Sequence, residues 1–149
     1  TFGPVIRAGL QAAGVEPGTP DFFQFLLIAQ HAVDSADPIN WARSAVQSNS
    51  ILLHQVAGDT VVPNAVAGAP LSGTEPLIRV MGLDPIVGTT MNANGIRGAT
   101  RFTQGGHGSL LDPSANPAVT VEMQSQAASM IATGGTTVVV TDTSVIQTD

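Results

Sequence analysis

Ile51-Leu52-Leu53-His54-Gln55-Val56, followed at once by Ala57-Gly58-Asp59-Thr60, is the stretch whose reading decides the fold. A short, mostly apolar run bounded by polar residues and broken by glycine reads as a buried strand of a parallel sheet. Downstream, Ser72-Gly73-Thr74-Glu75 has capping-box spacing and predicts a short helix over residues 76–82. Asn92-Ala93-Asn94-Gly95 predicts a turn, and residues 99–103 a second strand, ended by Gly105-Gly106-His107-Gly108. Asn116-Pro117 opens a helix whose apolar positions Val119, Met123, Ala127, Met130 and Ile131 keep helical spacing until Gly134-Gly135. The Val- and Thr-rich tail, residues 136–146, reads as a terminal strand. Strand, helix, strand, helix in that order predicts an α/β architecture, a mostly parallel sheet with flanking helices.

Working upstream, Pro4 opens a short helix that Gly14 can close. Thr19 reads as an N-cap with Pro20 in the first turn. The helix that follows carries Phe22, Phe23, Phe25, Leu26, Ile28, Ala29, Ala32 and Val33 over a wide face. Such a helix must be largely buried, or meet lipid or another protein. Asp37-Pro38 starts another short helix, residues 39–46, holding the single Trp41.

Composition excludes several functions. The 149 residues fit one ordinary domain by length, yet carry five Arg (7, 43, 79, 97 and 101), no Lys, no Cys and eleven acidic residues, a net charge of −6. Five scattered Arg cannot form the clustered basic face that nucleic acid needs. Without Cys there is neither a disulfide scaffold nor a thiolate metal site, and no metal-binding motif occurs, so no metal and no cofactor is expected. The longest apolar run, Phe25-Leu26-Leu27-Ile28-Ala29, is too short to span a bilayer. Low charge and the absence of Lys suit a secreted or bacterial cell-surface protein.

Two residues carry chemistry. Asp59 follows the first predicted strand and His107 the second, both at carboxyl ends of strands, where α/β sheets bind ligands. A carboxylate that fixes an imidazole tautomer is the acid–base half of a nucleophilic triad, and hydrolases run in the order Ser, Asp, His. Each also has a plainer reading, Asp59 as a turn residue and His107 as an exposed loop residue. The nucleophile elbow G-x-S-x-G is missing, and none of the ten Ser lies between a strand and a helix, so no nucleophile is assigned within this chain. Ser109 is read as a loop cap, Asp84 as a rival acid in an Asp-Pro turn, His31 as a helical partner of Asp34, and His54 as a packed strand residue. Asp142 and Asp149 in the tail offer at most an adventitious cation contact.

Three stretches, residues 30–42, 53–64 and 103–111, resemble the C-terminal part of bacterial extracellular lipases. These are secreted or surface-exposed α/β-hydrolases related to virulence-factor lipases and phospholipases. Gly58-Asp59-Thr60-Val61-Val62-Pro63 and Gly105-Gly106-His107-Gly108 carry the resemblance. It implies the C-terminal half of an α/β-hydrolase domain, incomplete on its own, that hydrolyses acyl esters with Asp59 as triad acid and His107 as base. The nucleophile then lies upstream. On that reading about residues 1–48 are cap- or lid-like helices, and 49–149 hold the acid strand, His strand, last helix and terminal strand. The expected partners are an acyl lipid or ester substrate, a lipid surface, and the missing N-terminal part or a second copy. Alternatives are a non-catalytic fragment or interaction module, and another hydrolase-type activity such as peptidase or acyltransferase.

Overall fold

The computed structural model describes residues 3–67 and 72–148. The chain divides into two compact units, Thr1–Trp41 and Ala42–Asp149. That division falls inside one helix, a few residues before the expected boundary at 48.

In the first unit, α1 (Gly3–Ala12) gives way to Gly14, whose φ of 81° needs glycine. Thr19 caps α2 (Pro20–Val33), its hydroxyl accepting from Phe22 N at 3.3 Å. A 3-10 turn (Asp34–Ala36) leads into α3 (Pro38–Ser48), with Asp37 Oδ1 accepting from Ile39 N. Of the two readings of α2, burial or an apolar side turned to lipid or another protein, burial is not what is found. None of its residues is buried, and Leu27 and Ile28 are 72% and 63% exposed. Local capping and propensity form this helix, and its apolar face is left uncovered.

In the second unit, β1 (Ile51–Val56) pairs in parallel with β4 (Arg97–Phe102), Ile51 opposite Arg97 and Val56 opposite Phe102. The short β2 (Asp84–Pro85) lies parallel on the other side of β4 at Gly98 and Ala99, giving the order β1-β4-β2. The chain is therefore mixed α/β with a small three-stranded parallel sheet. Between β1 and β2 lies α4 (Thr74–Met81), which Gly82 closes in the left-handed conformation. The expected capping box is not made: the N-cap is Gly73, with φ 105° and no side chain to donate or accept. A Cβ at Gly73 would sit 2.5 Å from the Pro63 carbonyl oxygen, so only glycine fits.

The long helix α5 (Pro117–Ala132) is capped by Asn116, whose Oδ1 accepts from Ala118 N and Val119 N. It covers one face of the sheet, packing Val119 and Met123 against Val56, Phe102, Val145 and Ile146. Phe102 is completely buried at the centre of this cluster. Ile131, expected on the apolar stripe, is instead 81% exposed and faces an open groove with Leu52, Leu110 and Met130.

The tail is not one strand. Only β5 (Thr137–Val138) is extended pairing, antiparallel to β3 (Thr90–Met91) in a separate two-stranded sheet. Asp142 then caps a 3-10 turn (Thr143–Val145), accepting from Ser144 N. The chain rejoins the main sheet only at Phe102–Ile146, with Thr103 N donating to Val145 O and Gln147 N to Arg101 O. The start of that β4 edge is already taken by β2, so a longer strand has nowhere to pair. Among the described residues, no helix is long and apolar enough to cross a membrane.

Candidate active site

Parallel pairing of β1 with β4 brings their carboxyl ends side by side, and the next loops carry Asp59 and His107. The loop after β1 turns on Gly58, φ 74°. Asn64 closes it from within, its Oδ1 accepting from Gly58 N and its Nδ2 donating to Val56 O, each at 3.0 Å. Asp59 Oδ1 accepts from Val61 N at 2.8 Å and Val62 N at 3.1 Å. This is the turn role its sequence context implied, and it engages only one of the two oxygens.

The other oxygen meets His107. Nδ1 of His107 lies 2.9 Å from Asp59 Oδ2, across 48 residues of sequence. The loop that holds the imidazole turns on Gly105, φ 111°, where a Cβ would meet Ser109 Oγ at 2.9 Å. Ser109 is buried, and its hydroxyl accepts from Gly106 N at 2.8 Å, so it caps the loop as expected. Gln124 Nε2 donating to Leu110 O and Thr120 Oγ1 donating to Asp112 O tie the same loop to α5.

Burial pushes the Asp59 carboxyl up, but the bonds from His107, Val61 N and Val62 N outweigh it and hold the pKa below the ordinary carboxylate value. Asp59 is therefore ionised at neutral pH and can only accept. Nδ1 of His107 must then carry the proton, which leaves a lone pair on Nε2. The Asp59 side chain is 11% exposed and that of His107 50%. A shielded carboxylate thus orients an accessible imidazole. Both line a cavity of about 250 Å³ with His54, Thr74, Leu110 and Met123. Among the described residues, Asp59 is the one hydrogen-bond partner of His107.

Against protein-family models, curated proteins and solved structures, the chain shows no significant match.

The remaining candidates fall elsewhere. Asp84 is exposed on β2 and makes no hydrogen bond to His107. The expected His31–Asp34 pair is not formed: Asp34 Oδ1 instead accepts from Gln30 Nε2, one turn back, at 2.7 Å. Asp142 is taken up by Ser144, and Asp149 lies outside the described residues. No group of three or more His, Asp or Glu among the described residues could hold a metal.

The sequence reading missed a buried polar chain beside the site. Gln126 Oε1 accepts from Thr100 Oγ1 at 2.7 Å and from His54 Nε2 at 3.2 Å. Gln126 Nε2 donates to Glu122 Oε1 at 2.8 Å. Glu122 Oε2 in turn accepts from Thr141 N, Thr141 Oγ1 and Asp142 N. Thr100, Glu122 and Gln126 are all fully buried. The legible signal was that Glu122 and Gln126 fall on the same helical face as Val119 and Met123.

His54 packs edge-on against Phe102, ring centroids 5.4 Å apart. Burial lowers its pKa below 6.5, and the Gln126 bond and the Glu122 charge only partly offset this. The unfolded chain therefore takes up this proton first as pH falls. Stability tied to His54 is complete above about pH 6.5 and declines as pH drops through that value toward the folded pKa. Asp59, also depressed, acts in a separate window below about pH 3.8. Urea midpoints measured from pH 7.5 to 5 are expected to fall in the wild type. They are expected to fall less steeply in His54→Asn, which cannot titrate.

Proposed function

We propose that this chain supplies the acid and base of a serine ester hydrolase acting on acyl lipids, with the nucleophilic Ser provided by a segment upstream. The observation that carries the reading is the 2.9 Å contact between Asp59 Oδ2 and His107 Nδ1, with the imidazole accessible. In this role Nε2 of His107 takes the proton of the Ser hydroxyl as its oxygen attacks the ester carbonyl. The imidazolium, held by ionised Asp59, then protonates the leaving alcohol. Water enters by the same route to release the acyl group as a carboxylic acid.

Two further features support a hydrolase half-domain. Neighbouring parallel strands deliver first the acid and then the base, in the order the fold class requires. β1 is also an edge strand, beside an open groove of about 720 Å³ lined by Leu52, Leu110, Met130 and Ile131. Open edges and apolar grooves of that kind are normally covered, and an upstream strand and helix would cover them. On this reading the exposed apolar face of α2 contacts acyl chains or a lipid surface, as a cap would, and the protein works outside the cell. The same exposed face is the observation that favours the second reading, a non-catalytic interaction module.

The test is chemical. With its upstream segment, the protein is expected to hydrolyse p-nitrophenyl acyl esters and to be labelled on Ser by a phosphonate inhibitor that abolishes turnover. Residues 1–149 alone are expected to do neither. An intact protein that neither turns over esters nor takes the label would overturn the assignment in favour of the interaction module.

A further inference from the structure

β1 is the edge strand of its sheet, and the hydrogen-bonding groups of successive residues alternate between its two sides. Ala57 N donates to Phe102 O on the β4 side, so the neighbouring groups of Val56 and Gly58 face the open side. There the side chain of Asn64 takes the place of a neighbouring strand. Its Nδ2 donates to Val56 O and its Oδ1 accepts from Gly58 N, each at 3.0 Å. The same Val56 O accepts from Asp59 N at 3.2 Å. One amide therefore ties the end of β1 to the glycine on which the acid loop turns.

Asn64 is itself braced by α4. Glu75 N donates to Asn64 O at 2.8 Å and Thr74 N to Pro63 O at 3.1 Å. The Glu75 carboxylate in turn pairs with Arg101 on β4, the strand that leads to His107. Asn64 is not among the residues lining the cavity at Asp59 and His107, so it acts on the site only through Asp59. That carboxylate has one oxygen fixed by Val61 N and Val62 N, and the loop must aim the other at the imidazole. A hydrogen bond of 2.9 Å does not survive a displacement of about 1 Å.

We propose that Asn64 is a positioning residue for this site. Its side-chain amide sets the acid loop so that Asp59 Oδ2 meets Nδ1 of His107, and thereby keeps the imidazole proton on Nδ1. A part in catalysis rests on the hydrolase reading, whereas the effect on the Asp59–His107 contact stands on the geometry alone.

The test reads the imidazole proton directly. In the isotope-labelled full chain, under mildly alkaline conditions that leave imidazoles neutral, long-range nitrogen–proton spectra distinguish a proton on Nδ1 from one on Nε2. The wild type is expected to hold it on Nδ1. Asn64→Ala removes both amide bonds and is expected to give a mixture of the two tautomers. Asn64→Asp keeps the shape and the bond from Gly58 N but turns a carboxylate oxygen toward Val56 O. It is expected to give the same mixture, and it decides the matter if Asn64→Ala does not fold. A merely structural role would leave the wild-type tautomer in the folded fraction, and that result in a folded variant would overturn the proposal. In the protein with its proposed upstream segment, Asn64→Ala is expected to lower kcat on acyl esters by roughly 10- to 100-fold with KM unchanged. An unchanged kcat would remove Asn64 from the mechanism. If the wild type turns over no ester, the hydrolase reading fails by itself, and the tautomer still decides the role of Asn64.

Discussion

On the proposed hydrolase reading, replacing His107 with Ala in a protein that includes the proposed upstream segment is expected to cut ester turnover by roughly 10^4- to 10^6-fold while leaving KM and the fold nearly unchanged. The side chain is half exposed and its one hydrogen bond among the described residues is to Asp59, so little packing is lost. The chemical loss is large because His107 is the imidazole that Asp59 orients, while His54, which lines the same cavity, has its Nε2 engaged with Gln126. Asp59→Asn is the sharper probe. The Asn carbonyl can still accept from Val61 N and Val62 N, so the turn survives. Its NH2 then faces Nδ1 and forces that nitrogen to accept. The imidazole proton moves to Nε2, and the base points its lone pair the wrong way. Turnover is expected to fall by roughly 10^4-fold with no change in substrate binding. Steady-state kinetics on acyl esters decide the matter, and near-native turnover in either variant would remove the pair from the mechanism.

Glu122→Ala is expected to be the most damaging change to stability, at about 3–5 kcal/mol. It opens a cavity in α5 and strands Thr141 N, Thr141 Oγ1, Asp142 N and Gln126 Nε2, all of which donate to this carboxylate. Those donors hold the tail just before it reaches β4 at Ile146, so the β4 edge loosens with them. Glu122→Gln restores the volume but replaces one acceptor oxygen with a donor, and is expected to cost about 1–3 kcal/mol. Urea denaturation at pH 7 measures both. A loss below about 1 kcal/mol in Glu122→Ala would show that water replaces the carboxylate and that the buried chain does not hold the tail.

How much of this was legible depended on the range of the interactions involved. The strand Ile51–Val56 was readable residue for residue, because polar residues and Gly58 bound it on either side. The caps Thr19 and Asn116 were readable because each bonds within three residues of itself. The tail was misread because β propensity needs a free edge to pair with, and β2 already occupies Gly98 and Ala99. The Ser72–Glu75 capping box was misread because Gly73 takes the N-cap position. The exposure of α2 could not be read at all, since periodicity reports which face is apolar and not whether anything covers it.

By itself, the sequence determined local things: where β1 and the caps of α2 and α5 lie, that Asp59 precedes His107, and that each follows a strand. Tertiary structure decided that they meet. Residues 59 and 107 come within hydrogen-bond distance because β1 pairs with β4 in parallel and in one register, and no local pattern encodes that pairing. The buried chain from His54 to Thr141 has the same origin. Hydrogen-bond partners far apart in sequence are chosen by packing, and packing exists only once the chain has folded.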